Sequence, residues 1–168
     1  MKNKLIITLI TICLMCFAAG NASARAIDEK DAQKASASNR DFSNNLGKQW
    51  LLTNVKVNGA DTGFNREELA VFNSEESFSI RFEAGLLSGV AAPNRYSGPY
   101  TIGENQAIKI PPMRSTLMAS IFEPENLKEY EYYVYLQTAY KWNRKDQTLE
   151  IYSKTGDDEV IMTFVGRD

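Results

Sequence analysis

The stretch "GVAAPNRYSGPY", residues 89–100, decides how the fold of this chain is to be interpreted. Its glycines and prolines interrupt any continuous helix. Glycine lets two backbones approach closely or adopts a positive φ, and proline fixes φ. The stretch is therefore either a ligand-binding loop or a backbone device that lets a sheet bend. The sequence on both sides of it bears on that choice.

Short apolar runs on both sides predict a sheet. The run 50–57 alternates imperfectly, with a slip around Thr53 and Asn54, and the run 77–83 alternates cleanly. About eight such runs recur at roughly ten-residue spacing, bounded by turn residues. They predict a mainly β (α+β) fold, a small antiparallel meander or barrel-like sheet with one helix packed across it. The other predicted strands are 69–73, 86–92, 98–103, 107–110, 139–142, 148–153 and 159–165.

The predicted helix covers residues 124–137, "PENLKEYEYYVYLQ". Apolar residues recur there at three- and four-residue steps, and Pro124 and Glu125 suit a first helical turn. Alternating Tyr and Val in the same segment also fit a strand, although it would be unusually long. We favour the helix.

The N-terminus has the pattern of a secretory signal peptide over residues 1–24. A basic start precedes an apolar run too short for a membrane span, and small residues favour cleavage after Ala24 or Ala26. An uncleaved anchor and a lipoprotein modified at Cys16 are the alternatives. We expect a periplasmic or secreted protein, with a flexible polar leader over 25–46 and one folded domain over 47–168.

The residue types present limit the chemistry that the chain can perform. It has no histidine, and both cysteines lie in the predicted signal peptide. Ser-His and Cys-His nucleophile pairs and the usual zinc sites are therefore unavailable to the mature chain. We expect no enzyme activity, no catalytic residue, no cofactor and no metal. The net charge of −2 gives no reason to expect nucleic acid, and we expect a monomer without a membrane span.

Two groups of side chains suggest weaker hypotheses. The acid pairs at 75–76 and 157–158 could in principle serve as acid/base groups, but each is predicted to lie on a solvated turn. Tyr132, Tyr135 and Trp142 belong to an aromatic cluster that could contact a ligand or partner. Packing of these rings against the sheet is the interpretation that we favour.

The opening stretch and "TLMAS" at 116–120 form two motifs in order. Together they resemble the two motifs of the META domain, the HslJ-like family of bacterial exported proteins. The resemblance spans about residues 47–165. Pro93 and Ser120 stand where the family has cysteines, so a crosslink there is absent from this chain. The matching residues are Gly89, Asn94, Gly98, Tyr100, Thr116, Met118 and Ala119.

The resemblance implies a half-barrel or barrel-like sheet with one helix, and a role in envelope stress tolerance, and it supplies no catalytic residue. It favours the structural interpretation of the opening stretch. We predict that Gly89 and Gly98 allow close backbone approach, a bulge or positive φ. Asn94 is predicted to turn the chain and bond neighbouring backbone, and Tyr100 to return to the core.

Three functional hypotheses follow from the sequence. The first is an exported, non-enzymatic module that binds an unknown envelope protein or small molecule. The second is a lipocalin-like carrier that holds a small apolar ligand inside a barrel. The third is an enzyme that uses carboxylates with Tyr or Lys. An enclosed apolar cavity would favour the carrier, and a filled interior would oppose it.

Overall fold

The computed structural model describes residues 30, 32–34, 36–71, 74–119 and 123–167. Antiparallel strands are the main regular structure among them, which confirms the mainly β prediction. The helices are α1 (36–43), α2 (Glu67–Val71) and α3 (Glu129–Gln137). The strands are β1 (Gln49–Val57), β2 (Ala60–Asp61), β3 (Ser79–Glu83), β4 (Leu86–Val90), β5 (Arg95–Pro99), β6 (Thr101–Ile102), β7 (Ile108–Lys109), β8 (Arg114–Ser115), β9 (Ala139–Lys145), β10 (Thr148–Thr155) and β11 (Asp158–Arg167).

The main sheet has nine strands and is not a closed barrel. Its order is β8-β5-β4-β3-β1-β11-β10-β9, with β2 paired to β1 at the side, and β6 and β7 form a separate pair. The central strand β1 joins the first half of the chain to the last, because it pairs with both β3 and β11. None of the helices among the described residues is long and apolar enough to cross a membrane.

The slip predicted at Thr53 and Asn54 is a bulge in β1. The register against β11 shifts between Leu52 and Asn54, and the Thr53 hydroxyl donates to the Thr163 carbonyl at 3.1 Å. The extra residue restores the inward direction of the following apolar side chains. The imperfect alternation in the sequence therefore indicated the position of the bulge in β1.

Two predictions about elements are corrected by the structure. Residues 69–73 were predicted as a strand, but α2 occupies Glu67–Val71, where a single buried side chain, Leu69, holds one helical turn against the core. The α3 helix forms as predicted but begins at Glu129 rather than at Pro124. Its first turn is capped instead by Lys128, whose backbone N–H donates to the Glu131 carboxylate at 2.7 Å.

The folded domain also begins earlier than Gly47. In α1, Phe42 is buried and its ring packs edge-on against Phe82 and Trp142, with centroids 5.0 Å apart in both pairs. The leader was predicted to be flexible because it has almost no large apolar residue, but Phe42 is enough to attach residues 36–46 to the sheet.

Candidate functional site

The two family motifs meet at the side chain of Asn94, which is buried between β4 and β5. Its Oδ1 accepts the Thr116 hydroxyl at 2.8 Å and the Met118 backbone N–H at 2.7 Å. Its Nδ2 donates to the Met118 carbonyl at 3.1 Å. One amide therefore bonds both backbone groups of Met118, and fixes the position of residues 116–119, which we call the anchored loop.

Glu129, the first residue of α3, holds Asn94 from the other side. Its Oε1 accepts the backbone N–H groups of Ala92 at 3.0 Å and Asn94 at 2.9 Å. Its Oε2 accepts the Asn94 Nδ2 at 2.7 Å. A carboxylate that receives three N–H groups in a part-buried site makes strong, charge-assisted bonds. The start of α3, the Asn94 turn and the anchored loop are thereby joined in one network.

The anchored loop continues the pairing of β8 with β5. The Thr116 backbone N–H donates to the Arg95 carbonyl at 3.0 Å, and the Arg95 N–H donates to the Thr116 hydroxyl at 3.1 Å. Beyond this point the loop exposes apolar side chains, since Leu117 is 97% exposed and Met118 is 54% exposed. Ala119 is exposed as well. The loop has a fixed backbone and a solvent-facing apolar tip.

The glycines of the opening stretch allow close approach, as predicted, and neither has a positive φ. A Cβ on Gly89 would lie 2.0 Å from the Ser79 carbonyl oxygen, and one on Gly98 would lie 2.8 Å from the Met113 Cγ. Tyr100 returns to the core, where its hydroxyl donates to the Glu83 carbonyl at 2.7 Å. The prediction for Asn94 was wrong in one respect: its side chain bonds distant backbone rather than neighbouring backbone.

Tyr132 and Trp142 were considered as a surface for a ligand or partner, but both are buried. The buried position follows from packing: Tyr132 meets Phe78 edge-on at 5.3 Å, and Trp142 meets Phe42. Tyr135 is half-buried beside the core. The core interpretation of these rings therefore holds for Tyr132 and Trp142, and neither of them can contact a partner at the surface.

A pair of hydrogen-bonded tyrosines lies under α3. The Tyr96 hydroxyl donates to the Ser79 carbonyl at 2.8 Å and lies 3.0 Å from the Tyr132 hydroxyl. Burial raises the pKa of both groups well above the ordinary value of tyrosine. They stay protonated at neutral pH and serve as donors that connect β3, β5 and α3.

Bulky side chains pack together in one core cluster of the described residues. Its largest fully buried members include both tryptophans and several phenylalanines. The carrier hypothesis therefore gains no support. Of the acidic residues considered, Glu75, Glu76 and Asp157 are exposed on turns, and Asp158 is exposed at the start of β11. In the part of the chain that the structure describes, no three metal-ligating side chains converge.

Sequence reasoning missed the role of Glu129. It predicted a helix with an acidic first turn, and it placed that turn at Glu125. The signal that would have identified Glu129 is the pairing of a buried motif asparagine with a carboxylate, and only the three-dimensional arrangement shows that pairing. Arg66 was also missed: it is mostly buried, donates to the Leu52 carbonyl at 2.9 Å, and burial lowers its pKa to about 10.

The domain is an open antiparallel sheet with one helix packed across it. Its two motifs hold a surface loop in a fixed position beside that helix. The META domain family model matches residues 43–165, and the chain belongs to that family. No curated protein matches the chain.

Two solved structures are similar to this chain in fold. One is the crystal structure of a DUF4847 family protein from Bacteroides vulgatus, with a TM-score of 0.53 and 14% identity over 74% of this chain and 95% of that one. The other is an NMR structure of a protein from Burkholderia xenovorans, with a TM-score of 0.54 and 15% identity over 75% of this chain and 86% of that one. At these identities the likeness concerns the fold alone.

Proposed function

We propose that this META-domain protein is an exported, non-enzymatic binding module of the bacterial envelope, and that the anchored loop is its contact surface. The observation that carries the proposal is the exposure of Leu117 and Met118 on a backbone held by a buried asparagine. A loop already fixed in one conformation loses little conformational entropy on binding. Exposed apolar side chains on such a loop supply contact area.

Export is the second part of the proposal. It rests on the signal-peptide pattern of residues 1–24, which lie outside the described residues. The matched family region begins at residue 43, so removal of the first 24 residues would leave it whole. An envelope protein or small molecule is the partner class, and a role in stress tolerance follows from the family resemblance.

The contact surface is tested by site-specific photocrosslinking in the native envelope. A photoreactive amino acid at position 117 is expected to form one defined adduct, identified by mass spectrometry. The same probe at Val71, another apolar residue that is 77% exposed, serves as the control. Equal labelling from both positions, or none from position 117, would contradict the proposal. Fractionation of the expressed full chain tests export, which predicts a periplasmic or secreted product shortened by about 24 residues.

A further inference from the structure

A groove beside the anchored loop is lined by basic and hydroxyl-bearing side chains. It has a volume of about 320 Å³. Arg95 and Arg114 supply the charge, and none of its lining residues among the described part of the chain is acidic. Ser97, Ser115 and Thr116 also line it, and the Thr116 hydroxyl already donates to Asn94. The groove therefore offers positive charge and the hydrogen-bond donors of two guanidinium groups.

The two arginines are not neutralised within the described residues. Arg81 lies on the same half of the sheet, and its Nε donates to the Glu83 carboxylate at 2.9 Å. The guanidinium groups of Arg95 and Arg114 have no ion pair or hydrogen bond of this kind in the described part of the chain. Uncompensated positive charge on a chain of net charge −2 marks this groove as a site for an anionic group.

The spacing of the two arginines favours one kind of anion. Ser97 lies directly opposite Arg114 in the β5–β8 register, and Arg95 is two residues before Ser97 on the same face. Arg95 and Arg114 are therefore diagonal neighbours, which in a regular antiparallel pair are about 7–8 Å apart. Alternate side chains on one face of an extended strand are separated by a similar distance of about 6.6–6.8 Å.

We propose that the groove binds an extended acidic segment of a partner protein, in which carboxylates at alternate positions pair with Arg95 and Arg114. The planar guanidinium forks suit carboxylates. The β8 strand ends the described sheet, which leaves room for an extended segment beside it. Leu117 follows Thr116 directly and places an apolar contact at the end of the groove. This inference rests on the proposed function and names its partner chemistry.

A membrane surface is the less suitable partner. Binding to anionic lipid typically uses clusters of roughly four to eight basic residues. This groove presents two arginines, on a chain with more acidic than basic residues. Two carboxylates of a partner segment need only two positive charges, and Arg95 and Arg114 supply them.

The test is an NMR titration of the isotope-labelled, folded chain with a short synthetic peptide that carries glutamate at every second position. We expect shifts at Arg95, Ser97 and residues 114–118. The Arg95→Gln/Arg114→Gln double variant should bind at least tenfold more weakly. The Lys145→Gln/Lys154→Gln variant removes the same charge from the exposed β9–β10 hairpin, and should bind like the wild type. Circular dichroism verifies that both variants are folded.

Several outcomes would overturn the inference: no binding at millimolar peptide, equal weakening by both double variants, or equal binding of a glutamine version of the peptide. Binding to phosphatidylglycerol vesicles but not to the peptide would point to a membrane instead, and peptide-independent dimerisation would point to a second copy. If position 117 crosslinks in the envelope and the arginine variant leaves that adduct unchanged, the proposed function stands and the acidic partner is wrong. If the peptide binds and no adduct forms, the proposed function fails.

Discussion

At the scale of single residues, Asn94 does more than turn the chain. Its amide has one acceptor and one donor group, and both are used twice, by Thr116, Met118 and Glu129. No apolar side chain of similar size could satisfy these buried groups, because each needs a hydrogen-bond partner of opposite kind. Asn94 is therefore the residue on which the shape of the anchored loop depends most.

Asn94→Ala is expected to lower the free energy of unfolding by about 2–4 kcal/mol, because it leaves several buried polar groups without partners. Urea unfolding monitored by circular dichroism measures the change. Asn126→Ala is the control, since that exposed amide makes a single bond to the Gly63 carbonyl, and its effect should stay within about 0.5 kcal/mol. Unchanged stability of the Asn94 variant together with lost binding would show that Asn94 contacts the ligand directly.

Gly89 tests the close backbone approach in the opening stretch. In Gly89→Ala, the new Cβ would overlap the Ser79 carbonyl oxygen and lie 2.6 Å from the Tyr96 hydroxyl. Neither atom is the end of a free side chain, so we expect a loss of about 3 kcal/mol or more in urea unfolding. Gly103→Ala is the matched control, because its nearest neighbour is the Ala107 Cβ at 3.3 Å and a loss below about 1 kcal/mol is expected. Similar losses in both variants would contradict the steric argument.

At the scale of elements, α1 shows how one residue can attach a polar segment to a fold. Residues 36–43 are mostly exposed, yet Phe42 is 2% exposed among Phe82, Tyr100 and Trp142. The following turn adds a backbone bond from the Gly47 N–H to the Phe82 carbonyl at 2.9 Å. The helix therefore closes the end of the sheet near β3 and β9.

Phe42→Ala is expected to destabilise the protein by about 3–5 kcal/mol, because it leaves a cavity among aromatic rings. The midpoint and slope of urea unfolding give this value. Asn39→Ala, on an exposed part of the same helix, should change it by less than about 0.5 kcal/mol. If the two variants are equally stable, α1 is a dispensable leader after all.

At the scale of the whole molecule, the buried tyrosine pair makes stability depend on pH. Burial raises the pKa of Tyr96 and Tyr132 above the ordinary value of about 10, at which they titrate in the unfolded chain. The folded state therefore binds more protons above about pH 10, so their stabilising contribution is full below that pH and is lost as the pH rises. Arg66 acts in the opposite direction, because burial lowers its pKa to about 10.

Tyr96→Phe removes one of these groups and keeps the ring. Its unfolding free energy should therefore fall less steeply than that of the wild type above about pH 10, by up to about 1.4 kcal/mol per pH unit. Urea unfolding at several pH values between about 8 and 11 measures the slopes. Tyr130→Phe alters a ring that is 66% exposed and serves as the control. Parallel curves for the wild type and Tyr96→Phe would rule out this contribution.

The parts of the fold that the sequence predicted are those that depend on local pattern. Alternation predicted β3, apolar runs beside turn residues predicted β10 and β11, and the slip at Thr53 marked the bulge. The prediction for residues 69–73 was wrong because a mainly apolar run of five residues fits a strand and a single helical turn equally well. The start of α3 was misplaced because the Glu131 carboxylate caps it by accepting the Lys128 backbone N–H, and lysine is not a preferred N-cap residue.

The sequence by itself determined the fold class, the family and the residues that hold the two motifs, because periodicity and residue type are local properties. The tertiary structure alone decided what those residues do. Only folding brings Asn94 to Met118 and Glu129, and only the register of β5 against β8 places Arg95 diagonally from Arg114. Hydrogen bonds and charge pairs act over a few ångströms, and no pattern along the chain records distances between residues far apart in sequence.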